Sequence, residues 1–210
     1  MKSLPTYFIY TEKLENMRTE TTTRTLYKFN ELSEEGKQKA LENMYNINVD
    51  HEWYEFIFED AKTIGALIGI DIEKIYFSGF SSQGDGACFE GYYRYEKGSA
   101  KNLKEHAPKD KELHRIVEEL QELQRKNFYG LTANVKHSGH YSHENCTIIN
   151  VDSETEQEIP EDEIEDLLRD YMRWIYRVLE KEYEYLTGDE AIKETIECNE
   201  YEFTEDGEQA

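Results

Sequence analysis

The chain has 210 residues, of which 13% are aromatic and 33% are charged, and its 46 acidic and 24 basic residues give a formal net charge of −22. The aromatic content argues against a disordered chain, because disordered chains are poor in aromatic residues. The charge disfavours direct binding to nucleic acid or to an anionic membrane, since cations must neutralise both. It favours a basic protein surface as the partner, or only high solubility.

The spacing of the cysteines and the length of the apolar runs indicate the cellular compartment of the protein. Cys88, Cys146 and Cys198 lie far apart in the sequence, and without a CxxC pair they indicate neither a zinc ribbon nor a disulfide framework. No apolar run reaches the length of about 20 residues that spans a bilayer, and residues 1–5 do not begin a secretory signal. We therefore expect a soluble protein of a reducing compartment.

The first part of the chain predicts a strand followed by two helices. Residues 1–21 are expected to form a flexible segment ahead of a globular core over 22–207. Residues 22–29 are β-branched and aromatic, which is typical of a strand. Ser33 is a favourable N-cap for a first helix, and Asp50 is expected to cap a second helix that ends at Gly69.

The rest of the chain predicts two hairpins and three helices. Glycine and polar residues separate the strand-like runs, which indicates antiparallel hairpins. Pro160 suits the first turn of a long helix, and Asp189 is expected to cap the short helix after it. In chain order, the predicted elements are strands at 70–80 and 87–96, a helix at 108–127, a hairpin at 129–152 turning near 138–139, a helix at 160–186, a helix at 189–196 and a final strand at 200–206.

Two short segments near the ends of the chain resemble each other. "YKFNE" (27–31) and "YEFTED" (201–206) alternate aromatic and polar residues, so they can pair as neighbouring edge strands. We predict an α+β fold in which an antiparallel sheet, built from two hairpins plus the paired N- and C-terminal strands, packs against helices. Residues 1–210 are expected to form a single domain.

The acidic residues are concentrated towards the end of the chain. Residues 152–210 hold 22 acidic and 5 basic residues, whereas residues 1–151 hold 24 and 19. One interpretation is a solvated face in which acids favour helix N-termini. The other is DNA mimicry, in which carboxylates occupy a basic nucleic-acid-binding channel. The candidate binding residues in the long helix are Glu161, Asp162, Glu163, Glu165 and Asp166.

The segment "FSGFSSQGDGACFEG" (77–91) is the second candidate site. Its two carboxylates, Asp85 and Glu90, suit either acid–base chemistry or a divalent cation. Its glycines and the Asp85-Gly86 turn dipeptide are equally typical of a bulged hairpin, and no phosphate-binding motif is present. The candidate binding residues here are Ser78, Phe80, Gln83, Asp85 and Glu90.

Three histidines follow at intervals of three in the second hairpin. His137, His140 and His143 would need convergent nitrogens and a fourth ligand to bind a metal, and their spacing does not ensure this. We favour exposed histidines, and the sequence predicts no catalytic residue, no metal site and no cofactor.

Three segments carry a resemblance to a known family: "YKFNELSEEGKQKA", "DIEKIYFSGFSSQGDGACFEG" and "EYEYLTGDEAIKETIECNEYEFTEDG". Over most of residues 24–207 the chain resembles an uncharacterised family of small phage and prophage proteins, some of them labelled loosely as antitoxin-like. The resemblance implies a viral origin and a bacterial host cytoplasm. It brings no established mechanism, so it assigns no catalytic residue.

These observations lead to one hypothesis and two alternatives. The chain is expected to be a non-enzymatic phage protein that binds and inhibits a host protein with a basic nucleic-acid-binding surface, through the acids of 152–170 and 180–206 and the 77–91 loop; a homodimer is left open. One alternative is a small-ligand or metal-dependent enzyme centred on Asp85 and Glu90, with His140 or His143. The other is an antitoxin-like binding protein.

Overall fold

The computed structural model describes residues 23–155 and 159–210, so the predicted flexible segment 1–21 lies outside the described residues. The α+β class is confirmed, with one two-stranded and one four-stranded antiparallel sheet. The elements are β1 (Tyr27–Lys28), α1 (Glu34–Asn43), α2 (Glu55–Ile68), β2 (Ile70–Ser78), β3 (Gly86–Arg94), α3 (Ser99–His106), α4 (Lys111–Lys126), β4 (Leu131–His137), β5 (Thr147–Ser153), α5 (Glu161–Leu186), α6 (Asp189–Cys198) and β6 (Glu202–Phe203).

The contacts divide the chain into two compact units. Among the described residues, the terminal unit comprises 23–43 and 200–210, and the central unit comprises the described part of 44–199. The single domain over 1–210 stays a prediction. No helix in the described parts of the chain is long and apolar enough to cross a membrane.

The terminal unit is built by its two short strands. β1 and β6 pair antiparallel, with Tyr27 opposite Phe203, which confirms the predicted pairing of the two similar segments. The strand is shorter than predicted, because a 3-10 turn begins at Phe29, whose buried ring packs edge-on against Phe203 at 6.4 Å. The Ser33 hydroxyl accepts the Gly36 N–H at 3.1 Å, as its predicted capping role requires.

The central unit is an antiparallel sheet with helices packed against it. The strand order is β2-β3-β4-β5, so both predicted hairpins are present. α2 contacts β2 and α5 contacts β3 and β5. Alternate side chains of β4 and β5, such as Val135 and Ile149, are buried, whereas Asn134, Lys136 and Asn150 are exposed. This alternation is expected of a sheet whose two faces differ in burial.

The prediction that Asp50 caps the second helix was wrong. α2 begins at Glu55, and residues 44–54 form turns in which the Ile47 N–H donates to Met44 O at 2.9 Å. The Asn48 amide donates to Leu186 O at 3.0 Å and accepts the Thr195 hydroxyl at 2.7 Å. These long-range bonds hold the segment in a non-helical path, and short polar side chains such as asparagine favour this alternative.

Two further helix boundaries differ from the sequence expectations. α3 was not predicted, since it is only eight residues long and Leu103 is its one large apolar side chain. Asp189 is the first residue of α6 and Gly188 takes the capping position, so the predicted cap was also wrong. The long helix is confirmed: α5 follows Pro160 and ends at Leu186.

Candidate functional site

The loop between β2 and β3 is closed by the carboxylate of Asp85. One oxygen, Oδ2, accepts the backbone N–H of Ser81 at 2.9 Å and that of Ser82 at 2.6 Å. Gly79 has a φ of +30°, and a Cβ atom there would come within 2.7 Å of the same oxygen. Asp85 therefore has a defined structural role, and glycine at position 79 permits it.

Phe80 attaches this loop to the helical layer. Its ring stacks on Tyr176 at 5.5 Å and also contacts Tyr183 and Trp53, at 4.9 and 6.2 Å between centroids. The Tyr176 hydroxyl donates to Gly79 O at 3.3 Å. Burial, followed by the negative charges of Glu180 and Asp85, raises the pKa of Tyr176. Phe80 is thus half-buried in an aromatic cluster.

The other two candidates of this segment differ in exposure. Gln83 is exposed at the tip of the loop. Ser78 is half-buried, and its hydroxyl oxygen is buried without a hydrogen-bond partner among the described residues. This difference in exposure is not visible in the sequence, because both residues lie in the same polar run.

Glu90 lies in β3, separate from the turn that contains Asp85. Its Oε2 accepts the Tyr76 hydroxyl at 2.9 Å, and its Oε1 accepts the His137 N–H at 3.3 Å. The Tyr76 ring stacks on His137 at 4.5 Å, and the Lys74 ammonium lies 4.3 Å from the Tyr76 centroid. Glu90 therefore joins three neighbouring strands, and Asp85 and Glu90 each have their own internal partners.

Cys88 is fully buried on the same strand. Burial, followed by the neighbouring Cys146, Glu90 and Glu144, raises the pKa of its thiol to about 12. The thiol therefore stays protonated near neutral pH, whereas a nucleophilic cysteine requires the thiolate.

His137 and His143 of the second hairpin have separate hydrogen-bond partners. His137 Nε2 donates to Tyr141 O at 2.9 Å, and His143 Nδ1 accepts the Asn145 N–H at 3.2 Å. Within residues 23–155 and 159–210, no group of three or more His, Cys, Asp or Glu side chains is placed to hold a metal ion.

The acidic candidates of α5 divide into four exposed residues and one paired residue. Glu161, Asp162, Glu163 and Asp166 are exposed in the first two turns. Glu165 is half-buried and forms an ion pair with Arg169, with 2.7 Å between Oε2 and Nη2. We call the four exposed residues the acidic turn, and Glu165 does not belong to it.

The basic residues of α5 are largely engaged in ion pairs. Arg173 contacts Glu144 at 3.0 Å and Asp170 at 2.6 Å. Arg177 pairs with Glu112 of α4. The four-residue spacing of these arginines is visible in the sequence, but their acidic partners on other elements are not. Their charge is therefore compensated locally and does not neutralise the acidic turn.

A groove between α4 and α5 adjoins the acidic turn, and its α4 residues were not among the predicted site residues. It has a volume of about 320 Å³. On α4, Arg115 pairs with Glu119 at 3.0 Å and Lys126 pairs with Glu122 at 3.0 Å. This i, i+4 spacing can be recognised in the sequence. The position of these pairs opposite α5 requires the tertiary structure. The groove is lined by Arg115, Glu119, Glu122, Leu123, Lys126, Glu163, Asp166, Leu167 and Asp170.

The comparisons with known proteins give one match. No curated protein and no solved structure matches the chain. A family model described as a domain of unknown function, DUF8835, matches residues 53–189. These residues run from just before α2 to the first residue of α6, so they contain the four-stranded sheet, the 77–91 loop, the acidic turn and the groove. The chain therefore belongs to the uncharacterised DUF8835 family.

Proposed function

We propose that this protein binds the basic nucleic-acid-binding surface of another protein and thereby excludes nucleic acid from it. The observation that carries the proposal is the acidic turn of α5. Its four carboxylates are exposed, and no Lys, Arg or His side chain in the described parts of the chain lies within 4.0 Å of them in an ion pair. A basic surface could form ion pairs with these carboxylates in addition to their favourable position at the helix N-terminus.

The spacing of these carboxylates along the helix resembles that of phosphates in DNA. Glu161 and Asp166 are separated by five residues, or about 7.5 Å of helix axis at 1.5 Å per residue. Four carboxylates over this length give about one charge per 2 Å. Duplex DNA has about one phosphate charge per 1.7 Å of its axis. A channel that neutralises DNA can therefore neutralise this helix end at a similar charge density.

The setting that we propose is phage infection of a bacterium. The resemblance of the 77–91 segment and the terminal segments to phage and prophage proteins supports this setting. The partner would be a host defence protein or another host protein that must hold nucleic acid in order to act. Inhibition follows from competition, because one basic channel cannot accommodate both ligands.

The enzyme hypothesis on Asp85 and Glu90 is not the function that we propose. The Asp85 carboxylate closes its own loop, and both Glu90 oxygens accept hydrogen bonds from neighbouring strands. An antitoxin-like role would use the same acidic surface if the toxin is itself a basic nucleic-acid-binding protein.

The test reverses the charge of the acidic turn. Wild-type protein and a variant with Glu161, Asp162, Glu163 and Asp166 changed to Lys are immobilised and exposed to bacterial host lysate without nucleic acid. Retained proteins are eluted with duplex DNA and identified by mass spectrometry. We expect DNA to release nucleic-acid-binding proteins from the immobilised wild type. The amount of these proteins that the variant retains should be lower by at least about tenfold.

A matched control changes charge elsewhere by the same amount. Glu52, Asp71, Glu73 and Glu96 are exposed in the central unit, and their reversal to Lys should retain most of the binding. Glu165 is left unchanged in both variants, because its loss would leave Arg169 without its ion-pair partner. Equal binding by both variants, or retention that DNA does not release, would refute the proposal.

A further inference from the structure

The groove between α4 and α5 has charged walls and an apolar floor. Leu123 of α4 is half-buried and Leu167 of α5 is 5% exposed, and both line the groove. Its volume of about 320 Å³ is at the lower end of the range of about 300–1,000 Å³ typical of ligand pockets. This space suits one or two side chains of a partner and not a complete large ligand.

The cations of the groove are already compensated. Arg115 contacts Glu119 at 3.0 Å and Asp170 at 2.5 Å, and Lys126 contacts Glu122 at 3.0 Å. Five acidic and two basic side chains line the groove, which leaves a net charge of −3. Glu163 and Asp166 have no ion-pair partner within residues 23–155 and 159–210. An occupant that brings positive charge to these two carboxylates is therefore favoured.

The groove is continuous with the acidic turn, because Glu163 and Asp166 belong to both. A partner attracted by Glu161 and Asp162 at the start of α5 is thereby brought to Leu167, about one and a half turns further along the helix. The leucine floor adds apolar contacts, which carboxylates arranged like DNA phosphates cannot provide. Burial of an apolar side chain depends little on salt, whereas attraction between exposed charges is screened.

We propose that the groove binds a basic segment of a partner protein in which one leucine-sized side chain is flanked by lysine or arginine. The apolar side chain enters between Leu123 and Leu167, and the flanking cations contact Glu163 and Asp166. This inference rests on the proposed function and specifies the partner segment that the same surface selects. It distinguishes a partner with a basic, apolar-centred segment from one that offers charge alone.

The test uses two synthetic peptides of the same charge. The first has the sequence Arg-Lys-Gly-Leu-Gly-Lys-Arg, and the second has serine in place of leucine. Binding to the full chain is measured at low and at moderate salt from the chemical shifts of the leucine methyl groups. We expect the leucine peptide to bind about tenfold more tightly, the effect of burying one such side chain, and to shift the Leu123 and Leu167 signals.

Two variants separate the contribution of the carboxylates to peptide binding from that of the leucine floor of the groove. Glu163→Gln with Asp166→Asn should weaken both peptides and leave the leucine preference intact. Leu123→Ala should remove the preference for the leucine peptide and keep the charge-driven binding of both peptides. Thermal unfolding is used to check that each variant is folded. Equal affinity for the two peptides, or methyl shifts confined to other leucines, would overturn the groove inference. Lysate proteins released by DNA would still support the proposed function in that case.

Discussion

Single side chains hold several backbone segments of this protein in place. Gln124 of α4 is fully buried, and its amide Nε2 donates to Leu131 O at 2.7 Å while its Oε1 accepts the Leu131 N–H at 3.2 Å. It thereby completes the hydrogen bonding of the first residue of β4. Nε2 is also 3.3 Å from the Tyr93 hydroxyl. Gln124 therefore has a structural role: its side-chain amide lies where the Leu131 backbone needs hydrogen-bond partners.

We expect Gln124→Leu to lower the free energy of unfolding by about 2–4 kcal/mol. The change leaves the N–H and C=O groups of Leu131 without this partner, and an unsatisfied buried polar group costs about 1–3 kcal/mol. Urea denaturation measures the loss. Gln121→Leu, a half-buried position on the same helix, is the control and should change stability by less than about 0.5 kcal/mol. Similar losses in the two variants would contradict the role assigned to Gln124.

The residue types at the 77–91 segment were recognisable, but their roles were not. The turn predicted at Asp85-Gly86 lies two residues earlier: the Asp85 N–H donates to Ser82 O at 3.1 Å around Gln83 and Gly84, and Gly86 begins β3. The carboxylate bonds to Ser81 and Ser82 depend on how the loop folds back, which the order of residues does not show. Glu90 was grouped with Asp85 because both are acidic, yet its partners come from β2 and β4, 14 and 47 residues away.

At the level of elements, strongly periodic segments were predicted well. The hairpins and α5 combine regular apolar spacing with glycine or proline at their ends, so their sequence signals agree. The segment 44–54 was predicted badly, because Asn48 bonds to α5 and α6 and this contact is invisible locally. The α4–α5 groove could not be predicted either, since it exists only once the two helices are side by side.

Asp110 connects α4 with α5. Its Oδ1 accepts the N–H groups of Glu112 and Leu113 at 3.1 and 3.0 Å, and so caps α4. Its Oδ2 accepts the indole N–H of Trp174 at 2.8 Å. The start of one helix is therefore tied to the middle of the other, beside the ion pair of Glu112 with Arg177.

We expect Asp110→Ala to lower the free energy of unfolding by about 2–3 kcal/mol, because it removes the cap and leaves the buried Trp174 N–H without an acceptor. Asp110→Asn keeps a capping oxygen and should lose about half as much. Urea unfolding followed by tryptophan fluorescence gives both values. A stability of the alanine variant within 0.5 kcal/mol of wild type would show that Asp110 is dispensable.

At the level of the whole molecule, the residues that the family model matches lie within one of the two compact units. Residues 53–189 fall entirely within the central unit of 44–199. The terminal unit lies outside the matched range, although its strands were predicted from their similar sequences. It depends on chain segments far apart: the Asn43 amide donates to Gly207 O at 3.2 Å, and β1 pairs with β6.

A chain ending at Asn199 tests this dependence. It lacks β6, so Phe29 loses its partner ring, and α1, at ten residues, is too short to be stable alone. We expect hydrogen exchange of residues 27–43 to approach that of an unfolded chain, while β2 to β5 remain protected. A chain ending at Asp206, which retains β6, serves as the control and should keep partial protection. Full protection of α1 in the shorter chain would contradict this view of the terminal unit.

The pairing of Phe29 with Phe203 also sets the order of events on the ribosome. About 170 residues separate the two rings in the sequence, and at a synthesis rate of about 5–20 residues per second this takes roughly 10–35 s. Phe29 is 5% exposed once folded, but throughout that interval its intended partner has not yet been made. The segment around Phe29 therefore cannot complete its packing until the segment around Phe203 has been synthesised, and until then it is accessible to chaperones and proteases.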